Sequence, residues 1–423
     1  MHNRNEILCI AMVGLPARGK STLAQKLQEG LTADGVQAAI FNNGDLRRAL
    51  DRDDTAAPNF YNPDNQGAVE VREKLAALNI QHAREFLHNG GQVAILDATN
   101  VSRKRREFVQ AHFPDIPLLF LECYNEDKEI LEENILRKTR HSEFAHLDTQ
   151  QAIASFKKRI EYYRHIFCPL ATERNFIRQD SFLNTITDIQ ILDRIPFFEQ
   201  LRDLLVTDFV PNLYIVRHGS SEFNLENRIG GDSPLAEQGH RQGRNLGAYF
   251  CQTPLSIVFT SSKRRTKQTA AYVLEAQHVP PELHSMPLFD EIDCGICEGM
   301  DYEEVKRRRP DVHRGRVEDK YNFIYPGGEG YRSMRGRIER GVRKALYLSG
   351  GSRHIMIVGH RAVNRLILSY FLYRRPADVP YLYIPQDRYF HISCAQNERR
   401  IRLRFIPQAE AGSDVPTPTK GRD

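Results

Sequence analysis

The 423-residue chain has no run approaching the ~20 uninterrupted apolar residues that a bilayer crossing needs, so no membrane span is expected. One sign of charge hardly prevails. Lys and Arg (59) against Asp and Glu (54) leave +5, too small a surplus for a coat against nucleic acid and enough for local anion pockets. Cysteine is sparse and odd in number, seven in all, which argues against a disulfide framework and fits a reducing cytosol. Cys294 and Cys297 form the single CxxC; without further ligands for zinc or a thioredoxin-like context, a structural role is expected. No internal repeat is visible. What is present is an ordinary globular composition, 41% hydrophobic and 27% charged, in a chain long enough for two domains of ~100–200 residues.

Arg4 followed by the apolar stretch Ile7 to Val13 has the outline of a short signal peptide, but it runs straight into a glycine-rich loop that cleavage would destroy. The first half alternates strand-like runs (6–13, 36–41, 92–96, 117–122) with helical patterns (from Lys20, then 66–88, 126–138 and 150–165), the order a parallel, doubly wound α/β sheet requires. Near Phe209, Pro211 and Asn212 the pattern restarts with the apolar Leu213 to Val216. A second α/β unit follows, with strands near 256–259 and 354–358 and helices near 263–276, 332–348 and 361–372. The reading is a domain over 1–209, another over 210–406, and a disordered tail over 407–423, rich in Pro, Gly, Ser and Thr.

Gly14-Leu-Pro-Ala-Arg-Gly19-Lys20-Ser21 fits GxxxxGK[ST], after an apolar strand and before a helix. In that context Gly14, Ala17, Arg18 and Gly19 turn backbone N–H groups toward phosphate oxygens, Lys20 neutralises the terminal phosphates and Ser21 holds Mg²⁺. Val93 to Leu96 ends in Asp97-Ala-Thr-Asn100, which puts a carboxylate at the carboxyl end of a buried strand. Beside a phosphate loop, Asp97 is a candidate ligand of metal-bound water, or a base. Arg47, Arg48, Arg72, Arg103 and Arg105 are cations on the same side of the chain pattern, each taken singly a surface residue.

In the second half Arg217-His218-Gly219 follows a strand, and a His so placed can attack phosphorus as a neutral nucleophile. Three further features accompany it: Thr260 to Thr269 with Arg265, Glu291-Ile-Asp293, and Gly359-His360 after Ile355 to Val358. The chemistry needs Arg217, Arg265 and His360 around the phosphoryl oxygens and an acid for the leaving oxygen, for which Glu291 is the candidate.

Together these halves closely resemble the bifunctional 6-phosphofructo-2-kinase/fructose-2,6-bisphosphatase family over about residues 7–405. GLPARGKS, FNNGDLRR (41–48), NPDN (62–65), DATN (97–100) and FKKRIEYY (156–163) look like its kinase half, with a P-loop fold. RHGSSEFN (217–224), RIGGDS (228–233), EIDCGICEGMDYEEV (291–305) and GHRAVNR (359–365) look like its histidine-phosphatase half, of phosphoglycerate-mutase-like fold. The resemblance implies a kinase that uses ATP and Mg²⁺, held by Lys20, Ser21 and Asp97, on fructose 6-phosphate, matched by Arg47, Arg72, Thr99, Arg105, Arg159 and Tyr163. It implies a phosphatase without cofactor, with Arg217, His218, Asn224, Arg265, Glu291 and His360 at phosphate-2. Tyr302, Arg316, Lys320, Tyr331 and Arg365 match positions holding the rest of fructose 2,6-bisphosphate, and Gly230 and Arg361 are assigned to the same substrate. A cytoplasmic homodimer, binding small sugar phosphates and neither nucleic acid nor membrane, is the expected form.

Three departures stand out. Ser220 occupies the place of the family's usual Glu, Arg361 that of its Gln, and Thr139 that of a kinase Lys, with Lys138 or Arg140 able to substitute after a small helix shift. Three rivals compete with the bifunctional reading. A nucleic-acid end-processing kinase/phosphatase needs a basic groove with stacking aromatics, which +5 does not suggest. A phosphoglycerate mutase carries an Arg-His-Tyr-Gly segment after the acid, where this chain has MDYEEV. A non-catalytic sensor would not need the catalytic residues.

Overall fold

The apolar run Leu8–Val13 forms a buried strand, β1, in the computed structural model, which describes residues 6–50, 57–140, 142–208, 210–350, 352, 354–372, 374–395 and 398–407. Side chains alternate across a strand, so Leu8, Ile10 and Met12 pack on Leu23, Leu27 and Leu204, while Cys9, Ala11 and Val13 pack on Ile80, Ala83 and Phe176. Burial on both faces is why this strand reads as a continuous apolar run rather than an alternation.

Contacts divide the chain into two compact units, Met1–Phe209 and Val210–Asp423. In the first, β1 joins β2 (Ala38–Asn42), β3 (Val93–Asp97), β4 (Leu118–Tyr124), β5 (Asn175–Asp180) and β6 (Thr185–Ile191) in the order β2-β3-β1-β4-β5-β6. Only β6 is antiparallel. β1 lies between β3 and β4, so a crevice opens at their carboxyl ends, where the chain turns through Gly14–Gly19 into helix Lys20–Ala33.

The second unit builds another six-stranded sheet from β7 (Val210–Arg217), β8 (Ile257–Thr260), β9 (Glu282–Ser285), β10 (Ile355–Gly359), β11 (Arg388–Ala395) and β12 (Glu398–Phe405), ordered β12-β11-β7-β10-β8-β9. β7 and β10 are parallel neighbours, with Arg217 opposite Gly359. Both catalytic-histidine candidates therefore leave the sheet at one edge.

The expected helices at 66–88, 126–138, 150–165, 263–276, 332–348 and 361–372 are present within a few residues. The sequence reading did not anticipate β5, β6, β9, β11, β12, or helices Arg103–Ala111 and Glu237–Phe250. β6 (TITDIQI) and β12 (ERRIRLRF) are edge strands, whose solvent-facing positions are polar or charged and blur the apolar signal. From residue 408 the expected tail lies outside the described residues. Among the described residues no helix is long and apolar enough to cross a membrane. None of the seven cysteines is in a disulfide, and Cys294 and Cys297 are buried in a small apolar cluster with Val305, Val312 and Tyr325.

Candidate active sites

In the first unit Gly14 has φ +137°, and a Cβ there would collide with the Cys123 carbonyl of β4, so only glycine lets the loop leave β1 this close to its neighbour. Asn134 steadies the loop by donating to the Ala17 carbonyl (3.0 Å), and the Ser181 hydroxyl donates to Arg18 O (2.8 Å). Lys20 is buried, its ammonium donating to Leu15 O (2.7 Å); burial brings its pKa down to about 8 against the pull of Asp97. Asp97, at the end of β3, is also buried and accepts a hydrogen bond from Asn42 at the end of β2. Thr99 O accepts from Gly14 N (2.9 Å), which ties the DATN turn to the loop. Ser21 follows Lys20 in the first turn of the helix.

Near this centre sits a cationic cluster. Arg47, buried, pairs with Glu143 and with the Tyr61 hydroxyl; Arg159 lies over the Tyr61 ring (3.9 Å) and 3.8 Å from the other Glu143 oxygen. Tyr163 stands 6.0 Å from Tyr61, Arg72 donates to Phe60 O, and Arg105 pairs with Glu73 (2.5 Å). The Nε groups of Arg47, Arg105 and Arg159 are buried without a partner among the described residues. Unpaired donors on three arginines are costly in a finished core and natural in a pocket that receives an anion.

Not every sequence candidate belongs here. Arg48 pairs with Asp45 at the surface and Arg103 is exposed, while Arg106, buried and bonded to Glu173 (2.5 Å), braces the chain around Val101 and Cys168. Thr139 caps its helix, its hydroxyl donating to Leu136 O (2.9 Å). Lys138 takes the inward position instead: burial lowers its pKa, and Asp97 and Arg159 are close enough to act on its charge. Tyr61 and Glu143 were missed; Tyr61 directly precedes the NPDN segment, but nothing around Glu143 signals a site.

In the second unit the His218 N–H donates to Gly359 O (3.0 Å), which locks the turn after β7 onto β10. The His218 ring Nδ1 is 2.7 Å from Gly219 O, so Nδ1 carries the proton and Nε2 is the unprotonated nitrogen, accepting a hydrogen bond from Arg265 Nε–H (3.3 Å). Burial, then Arg265 and Arg217, hold this imidazole well below its ordinary pKa of 6.5, hence neutral. The His360 ring lies 5.1 Å away and bonds Ser261 Oγ through Nε2 (2.8 Å), with Nδ1 buried and unpartnered among the described residues. It too is held neutral, by burial and the neighbouring arginines. Arg217 is buried, one amino group donating to Ile384 O (3.3 Å) and Nε unpartnered; burial and then Arg361 bring its pKa down to about 10. Glu291 accepts N–H groups from Ile292 (3.0 Å) and Arg361 (3.1 Å) at the start of helix Arg361–Phe371.

Asn224 accepts from Ser221 N (3.2 Å) and from Gln386 (3.2 Å), and Gln386 also donates to His218 O (3.1 Å). Gly230, φ +71°, passes so close to the Glu298 carboxylate that a Cβ would collide with it. Ser220 is buried, its backbone held by Gln242 (2.7 Å) and Ala236 (2.9 Å). Beside the histidines Arg316 lies over the Tyr302 ring (5.1 Å), Arg365 donates to the Tyr331 hydroxyl (2.8 Å), and Lys320 reaches Pro380 O (3.3 Å). Burial and then Arg316, Arg365 and Arg361 bring the Lys320 pKa down to about 8, so these four cations share one region. Ser261 and Gln386 were missed; Ser261 lies inside the Thr260–Thr269 segment, whereas Gln386 belongs to no pattern.

A phosphate-loop unit followed by a histidine-phosphatase unit is the class these centres define. The 6-phosphofructo-2-kinase family model matches residues 1–217, and that of the histidine phosphatase superfamily (branch 1) matches 213–406. A Caenorhabditis elegans 6-phosphofructo-2-kinase/fructose-2,6-bisphosphatase is 33% identical over 400 residues, covering 89% of this chain and 84% of that protein. A human 6-phosphofructo-2-kinase/fructose-2,6-bisphosphatase 3 is 32% identical (90% and 73%), and a Saccharomyces cerevisiae fructose-2,6-bisphosphatase is 32% identical (90% and 85%). The chain belongs to the 6-phosphofructo-2-kinase/fructose-2,6-bisphosphatase family.

Proposed function

We propose that the first unit is a kinase domain that phosphorylates the 2-hydroxyl of fructose 6-phosphate from ATP, and that the second is a phosphatase domain that removes that phosphate again. One observation carries the reading: each unit sets a phosphoryl-transfer centre beside a separate Arg/Lys/Tyr cluster suited to a second phosphate. In the kinase, Lys20 neutralises the transferred phosphate while Arg47, Arg72, Arg105 and Arg159, with Thr99 and Tyr163, hold the sugar phosphate. The Ser21 hydroxyl and the Asp97 carboxylate are hard oxygen donors that would hold Mg²⁺, which would supply charge neutralisation for the phosphates. Lys138 adds the cation that Thr139 cannot.

In the phosphatase, Nε2 of His218 attacks phosphorus and the bond to O2 of the sugar breaks, the leaving oxygen taking a proton from Glu291. Water then attacks the phosphohistidine, Glu291 accepts its proton, and the P–N electron pair returns to Nε2. Arg217, Arg265 and His360 surround the phosphoryl oxygens, and Tyr302, Arg316, Lys320, Tyr331 and Arg365 hold the rest of the sugar. The test is to supply fructose 6-phosphate with MgATP, then fructose 2,6-bisphosphate alone, to the purified chain and measure both rates. EDTA should stop the first reaction and spare the second; inactivity on both sugars, with turnover on oligonucleotide ends, would favour the nucleic-acid rival.

Because attack needs neutral His218, protonation should quench phosphoenzyme formation only well below pH 6.5, the free-imidazole value. A rapid-quench pH profile half-maximal at or above 6.5 contradicts this. The depressed folded-state pKa has a second consequence: an unfolded chain binds protons the native imidazoles refuse, so this unit loses stability as pH falls through 6.5.

A cytoplasmic homodimer is part of the same reading. Edge strand β6 offers unpaired backbone groups, with Ile189 exposed on it and Leu192 exposed just past its end, a surface suited to a second copy. Light scattering at micromolar concentration should give twice 48.7 kDa, and Ile189→Glu should halve it; a 48.7 kDa wild type rejects the dimer.

A further inference from the structure

Arg361 is the first residue of helix Arg361–Phe371, directly after buried His360. Its backbone N–H is committed to Glu291 (3.1 Å), but its exposed guanidinium has no hydrogen-bond or ion-pair partner among the described residues. Two residues earlier Gly359 stands opposite Arg217 across the β7/β10 pairing, and Arg217 carries a buried Nε that is also unpartnered. The charge of Arg361 depresses Arg217 more than any other neighbouring charge does, and reaches His218 and Lys320. Two guanidinium groups whose charges act on one another repel until an anion sits between them.

We propose that Arg361 is a second phosphate clamp of the hydrolytic centre, closing with Arg217 on the group that His218 receives and retaining it between turnovers. This rests on the phosphohistidine reading above. Bound phosphomonoester, phosphohistidine and inorganic phosphate all present dianionic oxygens, whereas a loose, metaphosphate-like transition state carries less charge on them. A planar fork that grips two such oxygens therefore favours the states flanking the transition state. Phosphate leaves slowly, and product inhibits.

Arg361→Gln in the full chain should weaken inhibition of fructose 2,6-bisphosphate hydrolysis by inorganic phosphate about tenfold to a hundredfold and raise turnover, with the kinase rate unchanged. Arg361→Lys, which keeps the charge and loses the fork, should fall between. Unchanged phosphate inhibition overturns the clamp, as does lower turnover at unchanged inhibition, which would make Arg361 a transition-state group. Calorimetric titration of wild type and Arg361→Gln with inorganic phosphate needs no sugar substrate: weaker binding by the variant supports the clamp and equal binding overturns it. A wild type that hydrolyses no fructose 2,6-bisphosphate would sink the substrate reading alone.

Discussion

Lys20→Met is expected to lower the kinase rate about 10²–10³-fold while fructose 2,6-bisphosphate hydrolysis stays at its wild-type rate. Methionine keeps the length of the side chain and its burial against the loop, so the unit should fold, yet the charge that neutralises the transferred phosphate is gone. A second readout comes from protons. With its pKa near 8, the Lys20 ammonium of the free enzyme is partly deprotonated at pH 8, and incoming phosphates restore its charge. Calorimetry at pH 8 in two buffers of different ionisation enthalpy should therefore show proton uptake with MgATP, and less in Lys20→Met. A folded variant in which both activities collapse would contradict separate centres, since every residue assigned to hydrolysis lies in the second unit.

His218→Ala should lower hydrolysis about 10³-fold or more and remove the covalent intermediate, because it deletes the unprotonated Nε2 that Arg265 orients and to which the attack is assigned. In the wild type, labelled fructose 2,6-bisphosphate followed by rapid quench should leave an acid-labile, base-stable label on His218. His360→Ala should form less of it rather than none, since the proposal sets that ring beside the phosphoryl group without a bond to it. Appreciable hydrolysis by His218→Ala would mean that water attacks the sugar phosphate directly, and that the imidazole only positions it.

The legible parts of this protein were those written in contiguous stretches. GLPARGKS, DATN, RHG and GH each follow a buried strand, and the buried strands of a parallel sheet are apolar on both faces, so the places where chemistry-bearing residues leave the sheet could be marked from the pattern alone. Three of the four edge strands, β6, β9 and β12, were not legible. β12, with arginines at four of its eight positions, gives no apolar signal, and β9 is only four residues long. Site residues outside motifs were equally hidden: Glu143 bridges Arg47 and Arg159, and Gln386 holds the His218 carbonyl to Asn224, both through contacts between segments far apart in the chain.

The sequence by itself was enough to read two α/β units, a boundary near 210, a phosphate loop and the candidate members of a histidine-phosphatase centre, because loop geometry depends on glycines and caps that are local to it. Only the tertiary structure decided which residues meet. The parallel pairing of β7 with β10 sets the two histidine rings 5.1 Å apart, and the carbonyl of Gly219 selects the tautomer that leaves Nε2 unprotonated. Helical phase decided between Lys138 and Thr139: successive residues point about 100° apart, so packing turns Lys138 toward Asp97 and leaves Thr139 to cap the helix. Burial set the charge states. A histidine in a sequence has its ordinary pKa of about 6.5, and removal from water beside two arginines holds that of His218 well below it.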